Sequence, residues 1–346
     1  MTAAGSSIRP GALTAATPLR IVGYGAYRPR EQRASLSLDA LYGRDPGWTE
    51  ATFGIASRGL ASPEETTSYM AAQAARMALA QAGWAQGDFD VLIGACGVME
   101  QPIPGASVII QQALGLGGSG IMAFDVNQTC LSFIAALDVA AMGIATGRWR
   151  RALIASSDIA SAGLDMATPH ASAIFGDGAA AVCLEAGDDP EGPALLSRRI
   201  ETYGDGKDLC SLRAGGTRIR VEEGYDALVA GSKFQMDAFG IFKAAARRVP
   251  PLMDAALAEA GLTRESVDVV VAHQASRPGL DHVKKLVGGD PGRVIDLFND
   301  HGNQIAASLP TALARAHDEG RLKPGATVLL LGTAAGISAA AMVLRV

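Results

Sequence analysis

The chain has 346 residues, of which 49% are hydrophobic and only 5% aromatic, and it contains 41 glycines. This length allows two core-forming units or one large α/β unit, and the many small residues suit closely packed helices and sheets. The formal net charge of −5 gives no basic surface for nucleic acid, so no nucleic-acid partner is expected.

The four cysteines include no CxxC pair, which argues against a zinc site and against a disulfide framework. We therefore expect no bound metal. Free thiols and the lack of a recognisable secretory signal predict a cytoplasmic protein.

The first residues are small and polar, and we predict a flexible tail over residues 1–17. The first clear pattern is a helix end at 79–83, capped by Gly83, followed by a buried strand at 89–93. The same pattern returns at 257–261 and 267–271. The chain therefore carries an internal duplication.

Cys130 lies in the segment 123–133, where a β-like run turns into a helix-like run. A thiol at the start of a helix is favoured as the thiolate, because backbone N–H groups and the helix dipole point at it. The alternative is a small buried hydrophobic residue, which is the usual role of a free cysteine.

The segment after this strand also has a counterpart in the second half. Asn127-Gln128 opens a helix that is predicted to end near Gly147, before a strand at 152–156. Asn303-Gln304 opens a helix that is predicted to end near Gly320, before a strand at 327–331. His273 ends another β-like run in the second half.

Residues 326–344 carry no charge and are long enough to resemble a membrane span. Gly332 and Gly336 divide the segment into two pieces of strand length, at 327–331 and 338–344. Two buried strands joined by a tight turn explain this pattern better than a membrane helix, so no membrane association is expected.

The duplication predicts two α/β halves, at 18–190 and 191–346, each with a mixed, largely parallel sheet and helices on its faces. Ligand sites of α/β sheets gather at the carboxyl ends of strands. A pseudo-twofold axis would therefore bring Cys130, His273 and Asn303 together between the halves. Cysteine, histidine and asparagine in this order suggest covalent acyl chemistry.

Several further motifs, in the same order and at similar spacing, resemble the β-ketoacyl-acyl-carrier-protein synthase III family of thiolase-fold condensing enzymes. They are Gly47-Trp48, 53–58, 124–126 with Cys130, 175–179, Phe242-Lys243, 273–275, 301–303 with 306–308, and 320–325. The resemblance covers the chain from about residue 20. It implies a thiolase fold, with five αβαβα layers built from the two halves, and a homodimer.

The resemblance also implies a mechanism. Cys130 takes an acyl group from coenzyme A or acyl carrier protein, and this thioester condenses with malonyl carrier protein, with loss of carbon dioxide, to a 3-oxoacyl product. His273 and Asn303 donate hydrogen bonds to the enolate, and the backbone N–H groups of Cys130 and Ala335 form a second oxyanion hole. The helix start and a nearby positive group are expected to lower the pKa of Cys130.

No resident cofactor is implied, because coenzyme A and phosphopantetheine thioesters act as substrates. Trp48, Lys243, Arg247 and Arg277 are candidates for binding the substrate or an acidic carrier, although such side chains also serve as packing or as a solvated helix face. Thr52 stands where the family has an arginine for coenzyme A, and Leu131 and the predicted loop 333–336 also differ from the family. These departures favour a specialised member acting on an unusual acyl group.

Other activities stay open at this point. Relatives of this kind also transfer acyl groups to hydroxyls or amines without decarboxylation, or condense two acyl chains head to head. The presence of Asn303 favours malonyl condensation. A papain-type hydrolase would need a Cys-Gly-Ser-Cys-Trp motif near the N-terminus, which the chain lacks. A non-catalytic subunit of the same fold would have lost the nucleophile, and Cys130 is present.

Overall fold

The computed structural model describes residues 16–346. Residues 1–15 of the predicted tail lie outside the described part, and Thr17 already begins the first strand. The predicted division at residue 190 falls in the connection between the seventh and eighth strands.

Thirteen strands alternate with eleven helices along the described chain. The strands are β1 Thr17–Tyr27, β2 Glu31–Ala34, β3 Ser57–Leu60, β4 Val91–Gly94, β5 Met122–Asp125, β6 Arg151–Asp158, β7 Gly178–Ala186, β8 Ala194–Gly206, β9 Cys210–Ser211, β10 Gln235–Met236, β11 Val269–Ala272, β12 Thr327–Ala334 and β13 Gly336–Arg345. The helices are α1 Leu36–Leu41, α2 Trp48–Phe53, α3 Thr67–Ala82, α4 Ala106–Ala113, α5 Ser132–Ala145, α6 Pro169–Ser172, α7 Tyr225–Gly231, α8 Ala238–Glu259, α9 Arg277–Val287, α10 Phe298–His301 and α11 Ser308–Asp318.

Nine strands form one continuous sheet, in the order β11-β12-β13-β8-β1-β7-β6-β4-β5. The prediction of two largely parallel sheets was wrong in two respects. The halves are joined where Thr17 and Pro18 of β1 pair with Leu195 and Ala194 of β8. Among the named strands of the large sheet, only β4 with β5, β4 with β6, and β11 with β12 pair in parallel. Strand β7 runs antiparallel to β1 and β6, and β8 and β13 run antiparallel to all their neighbours.

Helices cover both halves of this sheet and fill the space between them. α3 and α4 pack on the outer face of the first half, and α8 packs on the outer face of the second. α5 and α11 lie between the halves and contact strands of both. This gives the predicted five layers, and α5 is buried on nearly every side, as expected for a helix that is apolar all round.

Small residues allow these layers to approach closely. A Cβ atom placed on Gly23 would lie 2.1 Å from the carbonyl oxygen of Ala78, and one on Gly25 would lie 2.0 Å from that of Ala74. Strand β1 therefore rests directly on the backbone of α3, which no larger residue at these positions permits.

The uncharged segment near the C-terminus forms the two predicted strands, β12 and β13, which pair antiparallel. Both strands are longer than predicted. Thr333 pairs with Ala339 and Ala334 with Ser338, so Ala335 alone connects the strands where a four-residue loop was expected. Among residues 16–346, no helix has both the length and the apolar character needed to cross a bilayer.

Candidate active site

Cys130 lies in a tight turn immediately before α5, which begins at Ser132. The Ser132 hydroxyl accepts a hydrogen bond from the Gln128 N–H at 2.9 Å, and Asn127 Oδ1 accepts one from the Thr129 N–H at 2.9 Å. Thr129 has a positive φ of 49°, which is uncommon for a threonine. This turn presents Cys130 at the amino end of the central helix.

The second half repeats this turn around Asn303. The Ser308 hydroxyl accepts from the Gln304 N–H at 3.0 Å, and Asn303 Oδ1 accepts from the Ile305 N–H at 2.9 Å. Ile305 has a φ of 52°, and it occupies the position equivalent to Thr129. The predicted duplication thus extends to individual hydrogen bonds.

The Asn303 turn is anchored to both halves of the molecule. Its backbone N–H donates to the carbonyl of Ile174 at 2.8 Å, and its carbonyl accepts from Gly176 at 3.1 Å. Its side-chain amide donates to the carbonyl of Ala275 at 3.4 Å, two residues beyond His273. With Oδ1 already accepting from Ile305, the amide nitrogen of Asn303 is held in one orientation.

His273 follows β11 and is 7% exposed. Its backbone N–H donates to the carbonyl of Leu331 at 2.8 Å. Burial lowers the pKa of His273 to about 4, so the imidazole is neutral at ordinary pH. Its Nδ1 is buried and has no hydrogen-bond partner within residues 16–346. A neutral imidazole carries one N–H group, so it suits a hydrogen-bond donor to substrate.

Two glycines show how the three segments meet. A Cβ atom placed on Gly332 would lie 2.9 Å from Leu131 Cδ2 and 3.1 Å from His273 Cβ. A Cβ atom placed on Gly97 would lie 3.2 Å from the carbonyl oxygen of Thr129 and 2.5 Å from Ile305 Cγ2. The Cys130 turn therefore adjoins both the His273 segment and the Asn303 turn, as the sequence predicted.

The electrostatics of the thiol differ from the sequence-based expectation. Burial raises the pKa of Cys130 well above its usual range, and the nearby Cys210 thiol and Asp158 carboxyl group act in the same direction. Hydrogen bonds from the backbone of Cys130 and from Thr129 only partly offset this. Without substrate Cys130 is therefore a protonated thiol. The positive group that was expected beside it is not among the groups within residues 16–346 that shift its pKa.

Ala335 lies in the single-residue connection between β12 and β13. The preceding Ala334 belongs to the same hydrophobic cluster as Leu131, and Cys130 packs against that cluster. The connection therefore directly follows a residue of the cluster against which the nucleophile packs. A role of the Ala335 N–H in an oxyanion hole stays a prediction.

The predicted binding residues fall into two groups. Trp48 lies at the start of α2, with Arg44 over its ring at 4.8 Å and Phe53 edge-on at 5.5 Å. A Cβ atom placed on Gly54, just after this helix, would lie 3.0 Å from Arg277 Nε. Arg277 also pairs with Asp296, so its charge is already compensated. These residues form one corner of the molecule.

Lys243 and Arg247 lie one turn apart on α8 and are both exposed. Neither pairs with a carboxylate within the described residues. Phe239 and Phe242 are exposed beside them. This combination of free positive charge and apolar surface distinguishes the beginning of α8 from the compensated corner around Arg277.

Sequence reasoning missed several residues of this site. Cys210 was not among the predicted site residues, yet it lies close enough to Cys130 to raise the pKa of that thiol. Asp158, at the end of β6, was not singled out, although a carboxylate that ends an apolar strand is a usable signal. The repeated spacing from Asn127 to Ser132 and from Asn303 to Ser308 would have revealed the shared turn.

The neutral state of His273 predicts a pH-dependent contribution to stability. Unfolding returns the imidazole to its ordinary pKa, so stability falls as the pH drops below about 6.5 and levels off near the folded pKa of about 4. We expect His273→Gln to remove up to about 3 kcal/mol of this loss. Urea unfolding of both proteins at about pH 7 and about pH 4 measures it. Equal losses in both proteins would contradict the assignment.

Comparison with known proteins gives consistent matches. The family "3-Oxoacyl-[acyl-carrier-protein (ACP)] synthase III" matches residues 124–204, and its C-terminal counterpart matches residues 257–346. A β-ketoacyl-[acyl-carrier-protein] synthase III of Neisseria meningitidis is 33% identical over 327 residues, covering 94% of this chain and 98% of the relative.

Two solved structures extend the comparison to the fold. The 3-oxoacyl-[acyl-carrier-protein] synthase III of Aquifex aeolicus superposes with a TM-score of 0.85 at 28% identity, over 95% of this chain and all (100%) of that one. The priming β-ketosynthase of the R1128 polyketide pathway superposes with a TM-score of 0.86 at 27% identity, over 98% of each chain. The predicted thiolase fold is thereby confirmed.

Proposed function

This chain belongs to the β-ketoacyl-[acyl-carrier-protein] synthase III family, and we propose that it condenses a Cys130-bound acyl group decarboxylatively with a malonyl thioester. The observation that carries the proposal is the meeting of the Cys130 turn with the Asn303 turn beside a neutral His273. The chain is an acyltransferase, and its product is a 3-oxoacyl thioester on carrier protein.

In the first half-reaction, Cys130 Sγ attacks the carbonyl carbon of an acyl thioester. The thiol proton leaves with the departing thiol of coenzyme A or phosphopantetheine, and a thioester on Cys130 replaces the substrate thioester. The negative charge that develops on the carbonyl oxygen needs donors, and the N–H groups of Cys130 and Ala335 are the proposed ones. Because burial raises the pKa of Cys130, proton loss must accompany acyl-donor binding or the attack itself.

In the second half-reaction, the bond between the malonyl carboxylate and its α-carbon breaks and carbon dioxide leaves. The bonding electrons form an enolate, whose oxygen accepts hydrogen bonds from His273 and Asn303. Neutral donors suit this step, because a charged imidazolium would be costly in this buried position. The enolate carbon then attacks the Cys130 thioester, and the C–S bond breaks to release the Cys130 thiolate, which takes up a proton from solvent to regenerate the thiol.

The acyl carrier protein is proposed as a partner, docking on the beginning of α8. Lys243 and Arg247 provide free positive charge for its acidic surface, and Phe239 provides an apolar contact. Trp48 is the proposed contact for the nucleotide end of coenzyme A, next to the Arg277 corner. Thr52 lacks the charge of an arginine, so carrier-bound donors are favoured over coenzyme A.

A homodimer in the cytoplasm completes the proposal. β5 is the last strand of the sheet, so one of its edges has no neighbouring strand within the described chain. Met122 in β5 and Val108 in α4 are exposed there. A second copy that covers this edge would pair its free backbone groups. The four free cysteines suit a reducing compartment.

The proposed reaction is tested with the wild-type chain, radiolabelled short, medium and long acyl donors on coenzyme A or carrier protein, and malonyl carrier protein. We expect carbon dioxide and a 3-oxoacyl carrier protein in equal amounts for at least one donor. Acyl transfer to an alcohol or amine without carbon dioxide would indicate the alternative transferase. A product from two acyl donors without malonyl carrier protein would indicate head-to-head condensation.

A further inference from the structure

Asp158 is a fully buried carboxyl group at the end of β6, and burial raises its pKa to about 7. It pairs with no cation within residues 16–346. Four backbone N–H groups point at it instead. Gly97 and Val98 donate to Oδ1 at 2.8 and 2.6 Å. Ala306 and Ala307 donate to Oδ2 at 2.9 and 3.2 Å. A carboxyl group buried away from water is tolerated only where hydrogen bonds replace its lost hydration, and the four backbone N–H groups supply these bonds.

The internal repeat shows what Asp158 replaces. Ala306 lies 176 residues after Cys130 and holds the equivalent position in the second turn. In the first half, the amide of this position is the proposed donor to the substrate oxyanion. In the second half, the equivalent amide donates to a carboxylate of the protein itself. The second turn is therefore closed to substrate and is fixed in place from the first half.

We propose that Asp158 is a positioning residue for the condensation step, which locks the Asn303 turn against the Cys130 turn. The inference rests on the proposed function, because it concerns the geometry of the enolate donors. It assigns to Asp158 no contact with substrate.

Each oxygen of the Asp158 side chain is connected to one of the two turns by a short series of contacts. On one side, Oδ2 fixes the amide of Ala306, the preceding Ile305 amide donates to Asn303 Oδ1, and this bond orients the Asn303 amide nitrogen. On the other side, Oδ1 fixes Gly97, whose Cα faces the carbonyl of Thr129, just before the nucleophile. One carboxylate thus sets the relative position of the two turns.

The substitution Asp158→Asn tests whether Asp158 positions the Asn303 turn or only stabilises the fold. An amide has one oxygen, so it satisfies the shorter bonds to Gly97 and Val98 and presents its NH2 group to the amides of Ala306 and Ala307. The Asn303 turn then loses its anchor, while the Cys130 turn keeps its own. Burial raises the pKa of Asp158 to about 7, and its ionised form raises the pKa of Cys130, so the substitution makes the thiol no harder to ionise.

The rates of the two half-reactions are therefore expected to change differently in this variant. We expect kcat for carbon dioxide release from malonyl carrier protein to fall by about 10²-fold in Asp158→Asn, the cost of a displacement of about 1 Å in a catalytic group. Acylation of Cys130 by the acyl donor is expected to be unchanged or faster. Loss of a purely structural contact would slow both half-reactions alike.

Asp177→Asn is the matched control. Asp177 is equally buried, and its carboxylate accepts from Ala61 and Ser161, within the first half. We expect this variant to lose stability without changing the ratio of decarboxylation to acylation. Asp158→Ser, which leaves room for a water molecule at the four amides, replaces Asp158→Asn if that variant does not fold.

The outcomes are distinct. The positioning role is supported if the ratio of decarboxylation rate to acylation rate falls in the Asp158 variant and stays unchanged in the Asp177 variant. Equal slowing of both half-reactions, or the same ratio in both variants, overturns it while leaving the proposed function intact. Absence of acylation and of carbon dioxide release in the wild type overturns the proposed function and, with it, this inference.

Discussion

Replacing Cys130 with alanine is expected to abolish transfer of an acyl group to the protein. Only Cys130 among the four cysteines stands in the turn that opens the central helix, beside both His273 and Asn303. Removing the nucleophile of a covalent mechanism costs at least about 10³-fold in rate. Intact-protein mass spectrometry after incubation with an acyl donor measures the loss directly.

Cys183→Ala provides the matched control for this experiment. Cys183 is buried in β7 and packs in the cluster formed with α3, away from the central helix. The control protein should acquire one acyl group per chain at the wild-type rate. An acyl adduct that persists in Cys130→Ala and disappears in Cys183→Ala would reject Cys130 as the nucleophile.

Replacing Asn303 or His273 with alanine is expected to stop condensation while leaving acylation in place. Each side chain is a proposed donor to the enolate, and loss of one such donor typically slows the step by about 10²–10³-fold. The double variant should be little slower than either single one, because the donors act on the same oxygen. Carbon dioxide release and acyl adduct formation, measured on the same samples, separate the two half-reactions.

Asn299→Ala is the control for the asparagine substitution. Asn299 lies in the neighbouring α10, and its exposed side chain donates only to the carbonyl of Gly54, at 3.3 Å. Its loss should change neither half-reaction by more than a small factor. If Asn303→Ala condensed at the wild-type rate, donation by Asn303 would be ruled out and the enolate would depend on other groups.

The layered architecture was predictable because duplication and hydrophobic periodicity are properties of the sequence itself. The helix end at Gly83 and its counterpart at Gly261 both appear, each with a positive φ. The continuous sheet was not predictable. It depends on the pairing of Thr17 and Pro18 with Leu195 and Ala194, which lie in the other half of the sequence. No local pattern encodes that contact.

The candidate site was likewise predictable only in part. Cys130, His273 and Asn303 were identified because each follows a strand or opens a helix, which are local signals. The pKa of Cys130 was predicted in the wrong direction, because the sequence displays the helix start but not the burial that outweighs it. Asp158 was missed because its four donors come from segments 60 to 149 residues distant in the chain.

The repeated turns at Cys130 and Asn303 also make activity a test of complete folding. One half brings the nucleophile and the other brings the groups that stabilise the enolate, so neither half alone can carry a reaction forward. The groups that raise the pKa of Cys130 also come from both halves, since Asp158 lies in the first and Cys210 in the second. Turnover therefore requires the complete sheet, which the last strand, β13, joins by pairing with β8.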